Sequence, residues 1–269
     1  IVLAEQNTHR VFSRNTASSR AIPVKTRCDM IEQNPFVPDV FGKNQRGMQA
    51  DQLLDPEANA EAEKIWREAL DDALRHARRL AEIGVHKQYA NRLTEAFAWV
   101  TQIVTATEWD NYFALRCHPA AQPEINKIAV LTKEAIAASK PTPKKVGEWH
   151  IPLVGPKEIK KHADPLAAVK VSVARCAAVS YEKHGIVKSI DEEIARHDMM
   201  LQHGHMSPFE HQAYVGSGKE LSAHATYKYI KISGEREYDR YFDAMFVGNF
   251  KAPWIQYRKV LPNEDVFGG

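Results

Sequence analysis

The sequence predicts a protein that mixes helices and strands within one domain, and three observations carry that expectation. An apolar stripe at helical spacing runs through residues 56–83, and a capping box opens a second strong helix at Ser189. Val169, Val171 and Val173 alternate as they would in a strand. The 269 residues, 44% of them hydrophobic, are enough to bury a sizeable core.

In chain order, Ile1–Ala4 is an apolar β-prone fragment, expected as a strand, that runs into the polar loop THRVFSRNTASSR. From Cys28 to Asp55, Pro35, Pro38, Gly42 and Gly47 predict a long irregular excursion. Asp55 as N-cap and Pro56 in the first turn then start a helix. Its apolar side holds Ile65, Trp66, Leu70, Leu74 and Ala77, Gly84 stops it, and Glu63–Arg67 and Asp71–Arg75 are expected as solvated pairs. A threonine-capped helix is predicted over about Glu108 to Arg116, with Trp109, Tyr112, Phe113 and Leu115 toward the core, and another over about Gln122 to Ser139. Five prolines and several lysines make residues 140–168 a linker or crossover inside the single domain 1–269. VKVSVARCAAVSY follows as a strand, and Ser189 with Glu192 opens a helix that runs to about His203 and ends at Gly204. From Gln212 onward, aromatic and β-branched residues predict strands and loops.

Charge and cysteine usage narrow the function. Lys and Arg total 36 against 34 Asp and Glu, spread along the chain, so a general nucleic-acid coat protein is disfavoured. Cys28, Cys117 and Cys176 form no C-x-x-C pair, which speaks against a disulfide framework and for a reducing, cytoplasmic setting. No apolar run approaches the roughly 20 residues of a membrane span. The chain opens on Ile1, which leaves room for a leader or a first strand upstream.

Three constellations carry candidate chemistry. In Thr8-His9-Arg10-x-x-Ser13-x-Asn15-x-x-Ser18-Ser19-Arg20, two guanidiniums flank hydroxyls and an amide, which suits a phosphate ester; the same stretch suits a solvated polar loop equally well. Gly204-His205-Met206-Ser207-Pro208-Phe209-Glu210-His211 reads as a helix end and turn, or as a metal site of Asp198, His203, His205 and His211. In TATEWDNYFALRCHPAAQPEI, Asn111 and Arg116 stand five apart and are candidates for one cavity, against a plain surface arginine.

Together these segments resemble the flavin-dependent thymidylate synthases, whose signature runs Arg-His-Arg-x-x-Ser-x-Asn-Glu-x-Ser-x-Arg. His9, Arg10, Ser13, Asn15, Ser18 and Arg20 keep that spacing, whereas Thr8 replaces the first Arg and Thr16 the Glu. VARCAAVSY and HGHMSPFEH are similar to that family's strand and Phe-Glu-His element, and Arg116, Gln122 and Glu124 to its arginine and Ala-Gln-x-Glu-Ile helix. Asn91 and Arg92 stand near the place of a further phosphate-binding arginine. The Phe-Glu-His element follows the Arg-His-Arg motif here, the reverse of the family order, so the chain reads as a circularly permuted or rearranged relative. The tail NFKAPWIQYRK echoes the strand that enters the signature, with Arg258 as a replacement cation.

The resemblance implies an α+β fold, a twisted mainly antiparallel sheet with packed helices, in a homotetramer. It implies methylation of dUMP to dTMP, with methylenetetrahydrofolate as carbon donor and NADPH-reduced FAD as hydride source. Arg116 is the implied catalytic cation, Ser18, Ser19, Arg20 and Arg116 the dUMP contacts, and His9, Arg10, Asn111, Ser180 and His211 the FAD contacts; no metal, nucleic acid or membrane is implied. Alternatives are a sibling that hydroxymethylates a pyrimidine nucleotide and a nucleotide binder without catalysis. No cysteine is expected to act as nucleophile.

Overall fold

The computed structural model describes residues 2–47, 49–50, 52–155, 158–159, 162–180, 188–218, 220 and 249–261. It is α+β, with helices predominating over small sheets, and it divides into two compact units. One comprises residues 1–9, 16–101 and 109–140, the other 10–15, 102–108 and 141–269. Among the described residues no helix is long and apolar enough to cross a membrane.

The first unit is helical. The opening fragment forms α1 (Val2–Gln6), not a strand. Its single turn is closed by the Thr8 hydroxyl, which donates to the Glu5 carbonyl at 2.7 Å, a local bond that overrides the β propensity of Val2. α2 (Val24–Gln33) replaces the start of the expected excursion because Val24, Cys28 and Ile31 fall on one buried face. α3 (Pro56–Glu82) begins as the sequence predicts, with the Asp55 carboxylate accepting from Ala58 N–H at 2.9 Å. Its Leu70, Leu74 and Ala77 pack on Val24, Cys28 and Ile31. Glu63 pairs with Arg67 at 2.7 Å as expected. Arg75 pairs with Asp72 at 2.5 Å, three residues back instead of four, so Asp71 is not its partner.

A short α4 (Lys87–Ala90) leads into a 3-10 segment over Asn91–Phe97. α5 (Asp110–Arg116) has Trp109 as N-cap and no side-chain cap, so the expected threonine cap is absent. Tyr112 is buried there, whereas Leu115 is 53% exposed and lies outside the core. α6 (Pro123–Ala138) follows and buries Ile125 and Ala129.

In the second unit, β1 (Ser13–Thr16), whose last residue belongs to the first unit, pairs with β2 (Gln102–Thr105). The expected linker contains β3 (Trp149–His150), which pairs antiparallel with β4 (Ala213–Val215) in register Trp149 to Tyr214. β5 (Trp254–Gln256) completes this sheet, with Tyr214 opposite Ile255. Trp149 packs on Tyr214 and Tyr257, and that aromatic anchoring makes a strand within a proline-rich stretch.

The largest departure is VKVSVARCAAVSY, which forms α7 (Ala167–Ala177) instead of a strand. Val169, Val171, Ser172, Val173, Ala174 and Cys176 are all buried, so the helix is covered on nearly every side. A helix without a solvent face has no apolar stripe, and alternation then carries no information about period. α8 (Ile190–Gln202) packs along α7 and opens on the predicted capping box, Ser189 accepting from Glu192 N–H and Glu192 from Ser189 N–H. Gly204, at φ 69°, ends it as expected. Residues 221–248, where further strands were expected, lie outside the described residues.

Candidate functional site

In the first unit the signature opens beside Arg116. Arg116 closes α5 with its side chain only 17% exposed, and all three guanidinium nitrogens meet acceptors. Nε donates to His9 Nε2 at 2.9 Å, Nη2 to the Thr8 hydroxyl at 3.0 Å, and Nη1 pairs with the Glu5 carboxylate at 2.8 Å. A guanidinium only donates, so His9 carries its proton on Nδ1. The His9 ring is buried edge-on against Tyr112, at 4.9 Å and 86°, which fixes its plane. Asn126 of α6 holds the end of α5 by donating to the Arg116 carbonyl at 2.9 Å. Sequence reasoning identified Arg116 and His9 but gave no role to Glu5; its signal was a carboxylate three residues before the motif.

The second part of the signature is a 3-10 turn over Ser19–Ala21 with Ser18 as N-cap, whose hydroxyl accepts from Arg20 N–H at 3.3 Å. Arg20 is exposed, and Ser19 is buried, donating its hydroxyl to Glu95 at 2.9 Å. Arg92 reaches the same carboxylate at 2.7 Å. Asn91 is fully buried and its amide donates to the Ser19 and Ile22 carbonyls at 2.8 and 2.9 Å. Asn91 thus scaffolds the turn, and Arg92 is the cation beside it.

In the second unit, Ser13 donates to the Glu210 carbonyl at 2.8 Å and Asn15 to the Cys176 carbonyl at 2.7 Å. Residues 197 and 161 positions apart in sequence are joined this way. Gln256 also donates to the Glu210 carbonyl, at 3.0 Å, and Arg258 pairs with the Glu210 carboxylate. Arg258, the expected replacement cation, is therefore the partner of Glu210.

His211 is fully buried, with Nδ1 2.8 Å from the Thr105 hydroxyl. Among the described residues its Nε2 has no partner. Burial, with a smaller contribution from the neighbouring His150, lowers its pKa to about 4, so the ring is neutral near pH 7. His150 is depressed in the same way, chiefly by burial. Nothing in the sequence marked His150 or Thr105, because their relation to His211 is made by strand placement alone.

Arg10 and Asn111 are exposed. Five positions along α5 turn Asn111 and Arg116 about 140° apart, so the two do not share a helix face. Ser180 ends a 3-10 turn after α7, and its side chain lies outside the described residues. The residues of the metal alternative have other contacts. Asp198 is taken by His197 at 2.8 Å and Lys170 at 3.1 Å, and the rings of His203 and His205 are 6.3 Å apart. Among the described residues no group of three or more metal-ligating side chains is assembled.

Comparison with known proteins agrees with the motif reading. Comparisons with curated proteins and with solved structures give no match. The family model of the thymidylate synthase complementing proteins matches residues 1–142 of the 269, more than half of the chain. That stretch contains the whole signature, the Ser18–Arg20 turn and Arg116 with its three partners. The chain therefore belongs to the thymidylate synthase complementing proteins, the flavin-dependent family of thymidylate synthases.

Proposed function

We propose that this chain converts dUMP to dTMP, with methylenetetrahydrofolate as carbon donor and NADPH-reduced FAD as hydride source. The observation that carries this reading is Arg116, a mostly buried cation held on three acceptors directly beside the signature. Carbon 5 of uracil is a poor nucleophile until negative charge spreads onto the ring carbonyls. A guanidinium already held in place lowers the cost of that charge without reorganising, which is usually the largest catalytic contribution. Arg20, exposed beside Ser18, takes the phosphate, with Arg92 nearby on Glu95. Ser19 spends its hydroxyl hydrogen on Glu95, so the weight of phosphate binding falls on Arg20.

Two features suit FAD. The buried Nε2 of His211, without a partner among the described residues, suits a polar ligand atom, because such a group left alone costs about 1–3 kcal/mol. Exposed Arg10 suits a phosphate. By the family resemblance, His9, Arg10, Asn111, Ser180 and His211 are each assigned as FAD contacts. When bound, FAD supplies the hydride chemistry. The reading also includes the family's antiparallel scaffold, rearranged in order, a single domain with its linker over 140–168, a homotetramer, and a cytoplasmic setting suggested by three unpaired cysteines.

The test is isothermal titration of the purified protein with FAD and then dUMP. Binding of both at micromolar affinity, about −8 kcal/mol, is the expected result. Absence of FAD binding at tenfold higher concentration contradicts the assignment.

A further inference from the structure

Resting on the reading of Arg116 as the dUMP cation, we propose that Thr8 is a positioning residue, which with Glu5 and His9 orients Arg116 toward the carbonyl edge of a pyrimidine nucleotide. The Thr8 hydroxyl has one hydrogen, and it is spent on the Glu5 carbonyl at 2.7 Å. The oxygen is left only as an acceptor, and it takes Arg116 Nη2 at 3.0 Å. The same turn therefore sets both its own geometry and that of the guanidinium. Glu5 holds Nη1 at 2.8 Å, and His9, fixed by Tyr112, holds Nε at 2.9 Å. Each terminal nitrogen carries two hydrogens, so among the described residues one N–H on each remains for a ligand after these contacts. These N–H groups are the donors that the proposed function directs at a uracil carbonyl. A second guanidinium at position 8 would remove the acceptor and repel the first.

The experiment compares Thr8→Ser, Thr8→Val and Thr8→Ala in the FAD-loaded protein, by dUMP titration and by kcat and KM for dTMP formation. Thr8→Ser keeps both the hydrogen and the acceptor and should stay within about twofold of wild type. Thr8→Val should lower kcat about tenfold with a smaller change in KM, since the lost contact matters most where charge develops. In an Arg116→Lys background the Thr8→Val change should cost little more, because the two act as a unit. Thr8→Ala, judged for folding by its thermal midpoint, repeats the test should valine fail to fold. Wild-type kcat in a folded Thr8→Val or Thr8→Ala variant overturns the proposal and leaves the functional reading standing. A wild-type protein that does not bind dUMP overturns both.

Discussion

At the scale of single residues, Arg116 and Arg20 are both cations but sit in different surroundings. Arg116 is 17% exposed and braced on three sides, and Arg20 is exposed at a turn. Arg116→Lys removes the planar fork that matches Glu5, Thr8 and His9, so turnover should fall at least about tenfold with a smaller loss of dUMP affinity. Arg20→Ala should instead weaken dUMP binding by about 1.5–3 kcal/mol, the usual size of a lost charged hydrogen bond. Steady-state kinetics with dUMP titration separates the two, and identical behaviour of both variants contradicts the assignment. His211 makes a different prediction. Its folded-state pKa of about 4 lies below the ordinary 6.5, so the unfolded chain binds the proton first as pH falls. The stability it contributes is present above pH 6.5 and is lost as pH falls toward 4, on the order of 3 kcal/mol in all. His150 and His197, both lowered chiefly by burial, act in the same direction. The urea midpoint should therefore fall between about pH 7 and about pH 5, and fall less in His211→Asn.

At the scale of elements, α8 carries the turn that presents Phe209, Glu210 and His211, and its capping box satisfies two orphan N–H groups. Ser189→Ala should cost about 1 kcal/mol of stability, measured as a lower urea midpoint with an unchanged slope. An effect near zero would mean that α7 packing alone sets the register of α8. What the sequence made legible follows from solvent exposure. α3 and α8 each have one wet face, so their stripe and caps stand out. α7 has none, and its valines imitate a strand. α1 is one turn long and depends on Thr8, and β3 depends on Tyr214 and Tyr257, contacts that no local pattern announces. The candidate site divides in the same way. Arg116 and Ser18–Arg20 were named from motif spacing, whereas the contacts of Glu5, Thr105 and His150 arise only through folding.

At the scale of the whole molecule, the account requires chemistry without a thiolate. Cys28 and Cys176 are fully buried, and burial raises the Cys28 pKa; Cys117 is half-buried as the C-cap of α5. Replacing all three by alanine should leave NADPH- and methylenetetrahydrofolate-dependent activity within a few fold. Some loss of stability from the two buried positions is expected, about 1 kcal/mol each. Complete loss of activity in a folded, FAD-loaded variant, reproduced by Cys117→Ala alone, would point to a cysteine nucleophile. The central claim itself is met most directly by incubating the purified protein with FAD, dUMP, methylenetetrahydrofolate and NADPH and weighing the nucleotide product. The account predicts a product with the mass of dTMP that disappears when FAD is omitted from stripped protein. Unchanged dUMP in a protein that has bound both FAD and nucleotide, or a product with the mass of the hydroxymethyl nucleotide, would contradict it.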